Sequence, residues 1–342
     1  MRAFVIGGTG LLGYHTVNHL LDNGHEATVF SLPPSRRAEG LFPDSVDVII
    51  GDMNKMSDDE LTDVMKDHDW IVFAAGTDPG PMPKDKLEPF LEMVNVTLTR
   101  RSLEAARAAG VSRAVVCGSY FAHFNRIWPH LKISERMPYV ASRDRQTQAA
   151  FDLITDDFGV VVLELPYIWG TMPNRPAQWE GLIKLALSPE PTIHYAGGGT
   201  MMTSVKHIAE AILGGLERGV AGQCYQIGDE NVTWVEMFDR ITSAAGVAKK
   251  QVETVYHAQL RAVARESEAQ LEAAGLETGI TPVAYVDIET ANAFFDPEPA
   301  RMALGLTSGG LDEAIKEQVV LVQKAGEAEE TFGTQTAGPV TP

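Results

Sequence analysis

Cysteine is scarce in this sequence, and no long hydrophobic run is present. The two cysteines, Cys117 and Cys224, lie in short apolar segments typical of buried strands, so we expect no disulfide framework and a reducing compartment. No segment approaches the roughly 18 consecutive apolar residues that a membrane-spanning helix requires. Residues 2–6 form a predicted strand that leads straight into a glycine motif, which argues against a signal peptide. We therefore predict a cytoplasmic protein.

Basic residues are also few relative to acidic ones. The chain of 342 residues has 28 Lys and Arg against 46 Asp and Glu, which gives a formal net charge of −18. This charge repels nucleic-acid phosphates and anionic lipid headgroups, so neither nucleic acid nor membrane is expected as a partner. The histidines are scattered and no Cys/His spacing matches a closed site, so no metal centre is expected. A small molecule is the expected partner.

The first half of the sequence alternates short β-branched runs with segments of helical spacing. Continuous apolar strands are typical of sheets covered on both faces, and strand–helix alternation predicts right-handed crossovers. The sequence therefore predicts an α/β fold with a doubly wound parallel Rossmann sheet. The predicted strands are 3–6, 27–30, 46–50, 70–75, 113–117 and 159–165, and the predicted helices are 12–21, 58–66, 87–109 and 139–156.

A glycine loop follows the first predicted strand and opens the first predicted helix. Gly7 permits the tight turn, Gly10 lets the backbone approach a pyrophosphate, and Gly13 lets the helix pack close to the strand. The N–H groups at the start of the helix then face the diphosphate with a partial positive charge. The pattern predicts a dinucleotide site, in which Thr9 and Leu11 of the same loop also take part.

The end of the second strand decides which dinucleotide is preferred, because an acidic side chain there would bond the adenosine ribose. Ser31 stands at this place in a segment without a carboxylate, and Arg36 follows with Arg37 on a proline-turned loop. A guanidinium there can grip a 2′-phosphate, although two solvated arginines are the alternative. The sequence favours NADP, with NAD as the second choice.

The pattern changes after about residue 166. Proline-rich loops, a helix over 205–218, a strand over 224–227 and an amphipathic helix over 258–274 follow without βαβ regularity. Since single cores seldom grow beyond roughly 250–300 residues, a second unit is expected. We predict an NAD(P)-binding Rossmann domain over 1–166, a smaller α+β substrate-binding lobe over 167–325 with some elements returning to the first domain, and a flexible tail over 326–342.

A series of short motifs runs through the chain in a fixed order. They are the glycine loop, Gly51-Asp52-Met53, Ala74-Ala75-Gly76, Asn95-Val96, Ser119, Tyr139 with Arg143, Tyr167-Ile168-Trp169-Gly170, Val205-Lys206-His207-Ile208-Ala209, Tyr225-Gln226-Ile227-Gly228-Asp229, and the segment from Phe295-Asp296 to Leu304-Gly305. In this order they resemble the extended or atypical short-chain dehydrogenases/reductases, the NAD-dependent epimerase/dehydratase group. The resemblance covers residues 1 to about 322.

The resemblance implies a set of cofactor contacts. Asp52 and Met53 would flank the adenine, although an Asp before a helix is also an ordinary cap. The segment after the fourth strand would run along the middle of the dinucleotide. The further implied contacts are Ala74, Ala75, Gly76, Asn95, Pro166 and Ile168.

The resemblance also implies the catalytic residues. In the family, the tyrosine of a Tyr-x-x-x-Lys motif gives a proton to the carbonyl oxygen, and the four-residue spacing places both side chains on one helical face. Here Tyr139 matches the tyrosine, but Arg143 replaces the lysine. Its charge can support the tyrosine and bond the nicotinamide ribose, whereas a proton relay through it is closed. Ser119 stands where the family orients the substrate carbonyl.

Substrate contacts are expected from Phe121, His123, Tyr167 and Trp169, with core packing as the alternative for several aromatic residues. The arginines that grip a sugar-nucleotide diphosphate in the family are missing from residues 200–204, and Glu164 replaces another. We therefore predict an NAD(P)H-dependent carbonyl reductase or alcohol dehydrogenase acting on a small molecule without a nucleotide. The alternatives are a sugar-nucleotide epimerase/dehydratase and a cofactor-binding sensor or scaffold with weak catalysis. Helices 87–109 and 139–156 are the predicted interface of a homodimer.

Overall fold

The computed structural model describes residues 1–34, 39–77 and 80–335. Its central sheet has seven strands, all parallel, in the spatial order β11-β7-β6-β4-β1-β2-β3. The strands are β1 (Arg2–Ile6), β2 (Glu26–Ser31), β3 (Asp47–Ile50), β4 (Trp70–Phe73), β6 (Arg113–Ser119), β7 (Gly159–Leu165) and β11 (Cys224–Gln226). The predicted doubly wound sheet is confirmed, and each of the six predicted strands lies within two residues of its expected bounds.

The chain reverses its direction across the sheet between β1 and β4. From β1 it proceeds to β2 and β3 on one side, and from β4 to β6 and β7 on the other. The carboxyl ends of β1 and β4 therefore flank a crevice, which is the place where open parallel sheets bind ligands. The glycine loop after β1 and the segment 74–77 after β4 both border it.

Helices cover both faces of the sheet. Those of the first half are α1 (Leu11–Asp22), α2 (Asp58–Met65), α3 (Lys84–Leu91), α4 (Leu98–Ala108), α5 (Tyr120–Ile127), α6 (Ile133–Arg136) and α7 (Pro138–Phe151). Alternation along β1 explains the two layers, because Ala3 and Val5 join the core under α1, whereas Phe4 and Ile6 join the core under α2 and α4. The helix predicted over 87–109 is interrupted by a π-helix at Glu92–Thr97.

The second half builds a smaller lobe and returns twice to the Rossmann unit. Strand β11 extends the central sheet beside β7, and helix α9 packs against α1 on one face of that sheet. The remaining elements are β5 (Met82–Pro83), β8 (Tyr167–Trp169), α8 (Glu180–Ala186), β9 (Thr192–Ala196), β10 (Gly199–Ser204), α9 (Val205–Arg218), β12 (Glu230–Thr233), α10 (Trp234–Ala245), β13 (Gln251–Val255), α11 (His257–Ala273), β14 (Leu276–Glu277), α12 (Pro282–Glu289), β15 (Asn292–Ala293), α13 (Glu298–Leu304) and α14 (Leu311–Gln335).

The lobe packs around its own small sheet. Strand β10 lies between β12 and β15 and also pairs with β8, while β13 pairs with β9 and β14 pairs with β5. A large apolar cluster joins α10, α12 and α14 of the lobe to α3, α5 and α7 of the Rossmann unit. Helix α14 continues to Gln335, into the segment predicted as a tail, because Ala and Glu after residue 326 favour helix. Within the described ranges, no helix has both the length and the apolarity needed to span a membrane.

Candidate active site

The glycine loop forms a cradle that other residues would fill. Gly7 has a φ of 82°, a left-handed conformation that favours glycine, and a Cβ atom there would lie 2.9 Å from the carbonyl oxygen of Ala74. A Cβ atom at Gly13 would lie 2.5 Å from Cα of Gly8 and would collide with the carbonyl oxygen of Gly7. The first turn of α1 therefore lies directly against the loop, as the motif predicted.

The start of α1 is left uncapped by the protein. Gly10 is its N-cap, has no side chain to accept from the first N–H groups, and is followed by no acidic residue in the first turn. The amides of Leu11 and Leu12 thus lack intrahelical acceptors, and they lie at the positive end of the helix. Free donors and a cradle without side chains fit an anionic diphosphate, so these residues suit a nicotinamide dinucleotide.

The residues expected around the adenosine have different surroundings. The Ser31 hydroxyl hydrogen-bonds the Thr9 hydroxyl, which ties the end of β2 to the glycine loop. Asp52 caps the short 3-10 helix Met53–Lys55 by accepting from the amide of Asn54 at 3.1 Å. The Met53 side chain is buried in the core. Arg36 lies outside the described residues.

Asn95 cannot contact a cofactor directly, contrary to the sequence-based expectation. It is fully buried in the π-helix, its Oδ1 accepts from the amide of Thr77, and its Nδ2 donates to the carbonyl of Thr77 and to Oγ of Ser142. These three bonds use the amide group within the protein. Asn95 instead fixes the segment after β4 against α7, which a motif match alone does not reveal.

A cavity of about 560 Å³ opens at the carboxyl edge of the sheet and brings the predicted catalytic residues together. Its walls come from both units, and the described residues that line them include two arginines but no aspartate, glutamate, lysine or histidine. The lining residues are Leu12, Ala74, Gly76, Thr77, Cys117, Gly118, Ser119, Tyr120, Phe121, Tyr139, Arg143, Leu165, Pro166, Tyr167, Ile168, Arg175, Gln178, Trp179, Ile280 and Tyr285. A second cavity, of about 380 Å³ beside α11 and α12, has none of the predicted catalytic residues on its walls.

Tyr139 and Arg143 share one face of α7, as their spacing predicted. The Cζ atom of Arg143 lies 5.0 Å from the centre of the Tyr139 ring. Arg143 is only 5% exposed, and its Nη1 donates to Oε1 of Gln146 at 2.8 Å and to the carbonyl of Cys117 at 3.3 Å. Its Nε has no acceptor within the described protein. Among the residues that the structure describes, no carboxylate pairs with this buried guanidinium, and its free donor suits a polar ligand in this cavity.

Ser119 ends β6 and caps α5. Its Oγ accepts from the amide of Phe121 at 3.3 Å, so the hydroxyl hydrogen remains available for an acceptor in the cavity. The amide of Tyr139 in turn donates to the carbonyl of Gly279 at 3.0 Å, and the segment before α12 thereby fixes the start of α7. Both side chains are set by backbone contacts at the ends of regular elements.

Three further tyrosines line the cavity, and burial raises the pKa of each. Tyr120 donates to or accepts from the Thr200 hydroxyl at 2.9 Å, and the Tyr167 and Tyr285 hydroxyls bond each other. A raised pKa keeps these phenols protonated at neutral pH, so each hydroxyl can donate as well as accept a hydrogen bond.

Two of the four predicted substrate contacts lie away from this cavity. Phe121 and Tyr167 line the cavity, but His123 lies two residues further along α5, points to another side of the helix and contacts Phe295 with ring centres 5.7 Å apart. Trp169 is fully buried, and its Nε1 faces Sδ of Met202 at 3.3 Å. Trp169 is a core residue, as the alternative interpretation of the aromatic set held.

The sequence did not single out several residues that the fold brings to the cavity. Arg175 and Gln178 come from the loop between β8 and α8, whereas Ile280 and Tyr285 come from the segment around the start of α12. The proline-rich composition of the first loop was visible, but no local signal connected the second segment with residue 139. Trp179 also lines the cavity, and it stacks on Tyr167 with ring centres 4.5 Å apart and planes 2° from parallel.

The fold and the cradle define a Rossmann-type protein that fits a nicotinamide dinucleotide, and comparisons with known proteins agree. The model of a family described as NAD(P)H-binding matches residues 7–158. A putative dihydroflavonol 4-reductase from Synechocystis is 24% identical over 335 residues, which cover 94% of this chain and 95% of that protein. A UPF0659 protein of Saccharomyces cerevisiae is 27% identical over 152 residues, but the match covers 43% of this chain and only 64% of that protein.

A solved structure extends the similarity to the whole fold. A nucleoside-diphosphate-sugar epimerase from Pseudomonas aeruginosa aligns with a TM-score of 0.71 at 19% identity, covering 95% of this chain and 98% of the epimerase. These matches agree with the resemblance to the extended short-chain dehydrogenases/reductases that the order of the motifs indicated.

Proposed function

We propose that this protein is an NADP(H)-dependent oxidoreductase that interconverts a carbonyl group and an alcohol in a small molecule without a nucleotide. The observation that carries the proposal is the position of Ser119, Tyr139 and Arg143 on the wall of one cavity at the carboxyl edge of the sheet. The cradle at Gly7 to Gly13 borders the same crevice. A nicotinamide held there would supply or accept the hydride.

Residues of the chain itself bind the substrate oxygen and give it a proton. Tyr139 gives the proton to a carbonyl oxygen that becomes a hydroxyl, and the free hydroxyl hydrogen of Ser119 donates a hydrogen bond to the same oxygen. The positive charge of Arg143 stabilises the phenolate that remains on Tyr139. Because a guanidinium does not give up its proton, Tyr139 is reprotonated from another group.

The proposal of a substrate without a nucleotide rests on two absences among the described residues. All six residues of β10 are buried and none is cationic, so this strand offers no clamp for a diphosphate. Glu164 is fully buried and accepts two bonds from Arg126, both at 2.7 Å, and one from Gln226 at 2.6 Å. Arg126 is thereby held beside β7, and it does not line the cavity.

The preference for NADP(H) over NAD(H) rests on the end of β2. Ser31 is there in place of an acidic residue, and its hydroxyl bonds Thr9. We expect calorimetry to give tighter binding of NADPH than of NADH, and we expect Arg36→Ala to weaken NADPH binding about tenfold without changing NADH binding. The exposed Arg265→Ala is the matched control. Equal affinity of the unchanged protein for both coenzymes would contradict the preference.

The test of the activity is a substrate screen with purified protein and NADPH. Absorbance of the reduced nicotinamide is followed with a panel of aldehydes and ketones, and the products of UDP-glucose and dTDP-glucose are analysed in parallel. Oxidation of NADPH by a carbonyl compound supports the proposal. An epimerised or dehydrated sugar nucleotide, or saturable NADPH binding with no turnover of any compound, would replace it with the epimerase or the sensor.

A homodimer remains part of the proposal. The helices expected at its interface, α4 and α7, carry arginines that pair within the chain, with Arg100 at 3.0 Å from Asp152 and Arg145 at 2.9 Å from Glu92. Pairing through these helices would therefore be polar and weakened by salt. Sedimentation at low and high ionic strength measures this directly, and a monomer under both conditions would end the proposal.

A further inference from the structure

The loop of residues 170–179 closes one side of the cavity and is held firmly at both ends. Gln318 of α14 is fully buried, its Nε2 donates to the carbonyl of Gly170 at 2.9 Å, and its Oε1 accepts from the amide of Trp179 at 3.1 Å. His15 of α1 bonds the carbonyl of Thr171 at 2.7 Å. Side chains that this loop presents to the cavity therefore project from a fixed backbone.

Arg175 is an exposed residue of this loop that lines the cavity. Within residues 1–34, 39–77 and 80–335, its guanidinium makes no ion pair and no hydrogen bond. The other arginine of the cavity, Arg143, is held by Gln146 and by the Cys117 carbonyl. Five unused donors in a planar fork are suited to an oxyanion.

The charge of the cavity is opposite to that of the chain. The chain has a net charge of −18, whereas the wall of the cavity, as far as the described residues form it, includes two arginines and no acidic residue. An acidic surface repels anions, so a cationic cavity is needed to concentrate an anionic substrate. Gln178 adds an amide beside Arg175, and the Tyr167–Trp179 stack gives a flat apolar surface between the loop and the catalytic residues.

We infer that the substrate of this cavity carries an anionic group, a carboxylate or a phosphate, that Arg175 binds while the carbonyl lies at Tyr139 and Ser119. The inference rests on the proposed reductase function and names its substrate class. Arg175 is a binding residue in this scheme, and the aromatic stack contacts the apolar body of the substrate.

Matched substrate pairs test the inference. 4-Carboxybenzaldehyde is compared with its methyl ester, and glyceraldehyde 3-phosphate with glyceraldehyde, so that the two sources of negative charge are separated. We expect the unchanged enzyme to favour the anion of at least one pair by about tenfold or more in kcat/KM, mainly through KM. Arg175→Gln lowers kcat/KM for the anion toward that of its neutral partner and so removes this preference, while Arg175→Lys keeps part of it.

Arg265→Gln is the control, because Arg265 is an exposed arginine of α11 outside the cavity. A preference for the anion that survives Arg175→Gln, or no preference in the unchanged enzyme, would overturn the inference. If the enzyme turns over neither aldehyde pair, the reductase function is overturned instead. The anion contact is then tested by calorimetry with 4-carboxybenzaldehyde, glyceraldehyde 3-phosphate and UDP-glucose. Binding that Arg175→Gln weakens and Arg265→Gln does not would support the contact, and equal binding by both variants would exclude it.

Discussion

The guanidinium of Arg143 lies against the backbone of Gly76, in the space that a side chain at position 76 would fill. A Cβ atom on Gly76 would lie 2.7 Å from Cζ of Arg143 and closer still to its terminal nitrogens. Because Gln146 and the core hold Arg143 in a buried place, the guanidinium cannot move aside freely. The position of the charge beside Tyr139 thus depends on a missing side chain after β4.

We expect Gly76→Ala to lower kcat by about tenfold to a hundredfold, because it displaces Arg143 from Tyr139. Gly80→Ala is the matched control, since a Cβ atom there meets no atom within 4 Å. Steady-state kinetics with NADPH and an accepted carbonyl compound measure both variants. Equal activity of the two would show that the contact does not matter for turnover.

Tyr139→Phe should lower turnover by about a hundredfold or more, because the proton donor is lost while the ring remains. NADPH affinity should stay within about twofold, since the cradle at Gly7 to Gly13 is untouched. Tyr256→Phe makes the same chemical change at an exposed residue and should behave as the unchanged enzyme. An active Tyr139→Phe enzyme would remove this phenol from the mechanism.

Gly13→Ala should abolish binding of both NADPH and NADH. The added methyl group meets backbone atoms of Gly7 and Gly8, which cannot yield as the end of a flexible side chain would. Calorimetry measures the binding, and thermal unfolding shows whether the protein still folds. Gly181→Ala, in open space on α8, is the control; unchanged coenzyme affinity in a folded Gly13→Ala protein would refute the diphosphate site.

Gln318→Leu should cost about 1–3 kcal/mol of unfolding free energy, because the Gly170 carbonyl and the Trp179 amide both lose a buried partner. It should also raise KM for the substrate more than it lowers kcat, since residue 318 lies outside the cavity. Gln323→Leu is the control: residue 323 lies on the same helix as Gln318, and the substitution loses one bond to the carbonyl of Ala245. Equal KM values for the two variants would argue against a role in fixing the loop.

His68 makes folding stability depend on pH. Burial lowers its pKa below the usual value, and the Arg2 charge acts in the same direction. Its Nδ1 faces the carbonyls of Met65 and Lys66 and therefore carries the proton, so Nε2 accepts from Thr28 at 2.8 Å. The unfolded chain binds this proton more readily, so the contribution is complete above about pH 6.5 and is lost as the pH falls below it.

Thermal unfolding at pH 7.5 and pH 5.5 measures this effect. We expect the melting temperature of the unchanged protein to fall between the two, and His68→Asn to reduce that difference. His130→Asn, at an exposed residue, should leave it as it was. The same pH dependence in both variants would assign the effect to other groups.

Local sequence signals predicted the Rossmann unit well, because each β-branched strand and the glycine loop are specified by neighbouring residues. The same periodicity could not show the π-helix at Glu92–Thr97, because apolar residues keep a helix-like spacing even where a turn contains extra residues. The periodicity also could not show where the side chains of His123 and Trp169 point. His123 lies on a helix of eight residues and Trp169 on a strand of three, and in such short elements tertiary packing decides which side is buried.

Only those residues of the candidate site that belong to a sequence motif were predicted. Tyr139, Arg143 and Ser119 were placed on one wall by a motif order that the fold satisfies, and their roles stay predictions. Ile280 and Tyr285 lie some 140 residues further along the chain, and only the return of α12 onto α7 brings them to the cavity. Asn95 belongs to a motif but does not line the cavity. It holds the segment after β4 in place through its bonds to Thr77.

The two hydrogen bonds of Gln318 also mean that one side of the cavity is completed by α14, close to the end of the chain. A nascent chain that has been synthesised only as far as α13 already contains all the described residues of the cavity wall, yet the loop of residues 170–179 lacks both bonds from Gln318 and keeps the bond from His15. The glycine loop and the strands beside it are complete early in synthesis, whereas the wall that carries Arg175 gains the support of Gln318 only when α14 has been made.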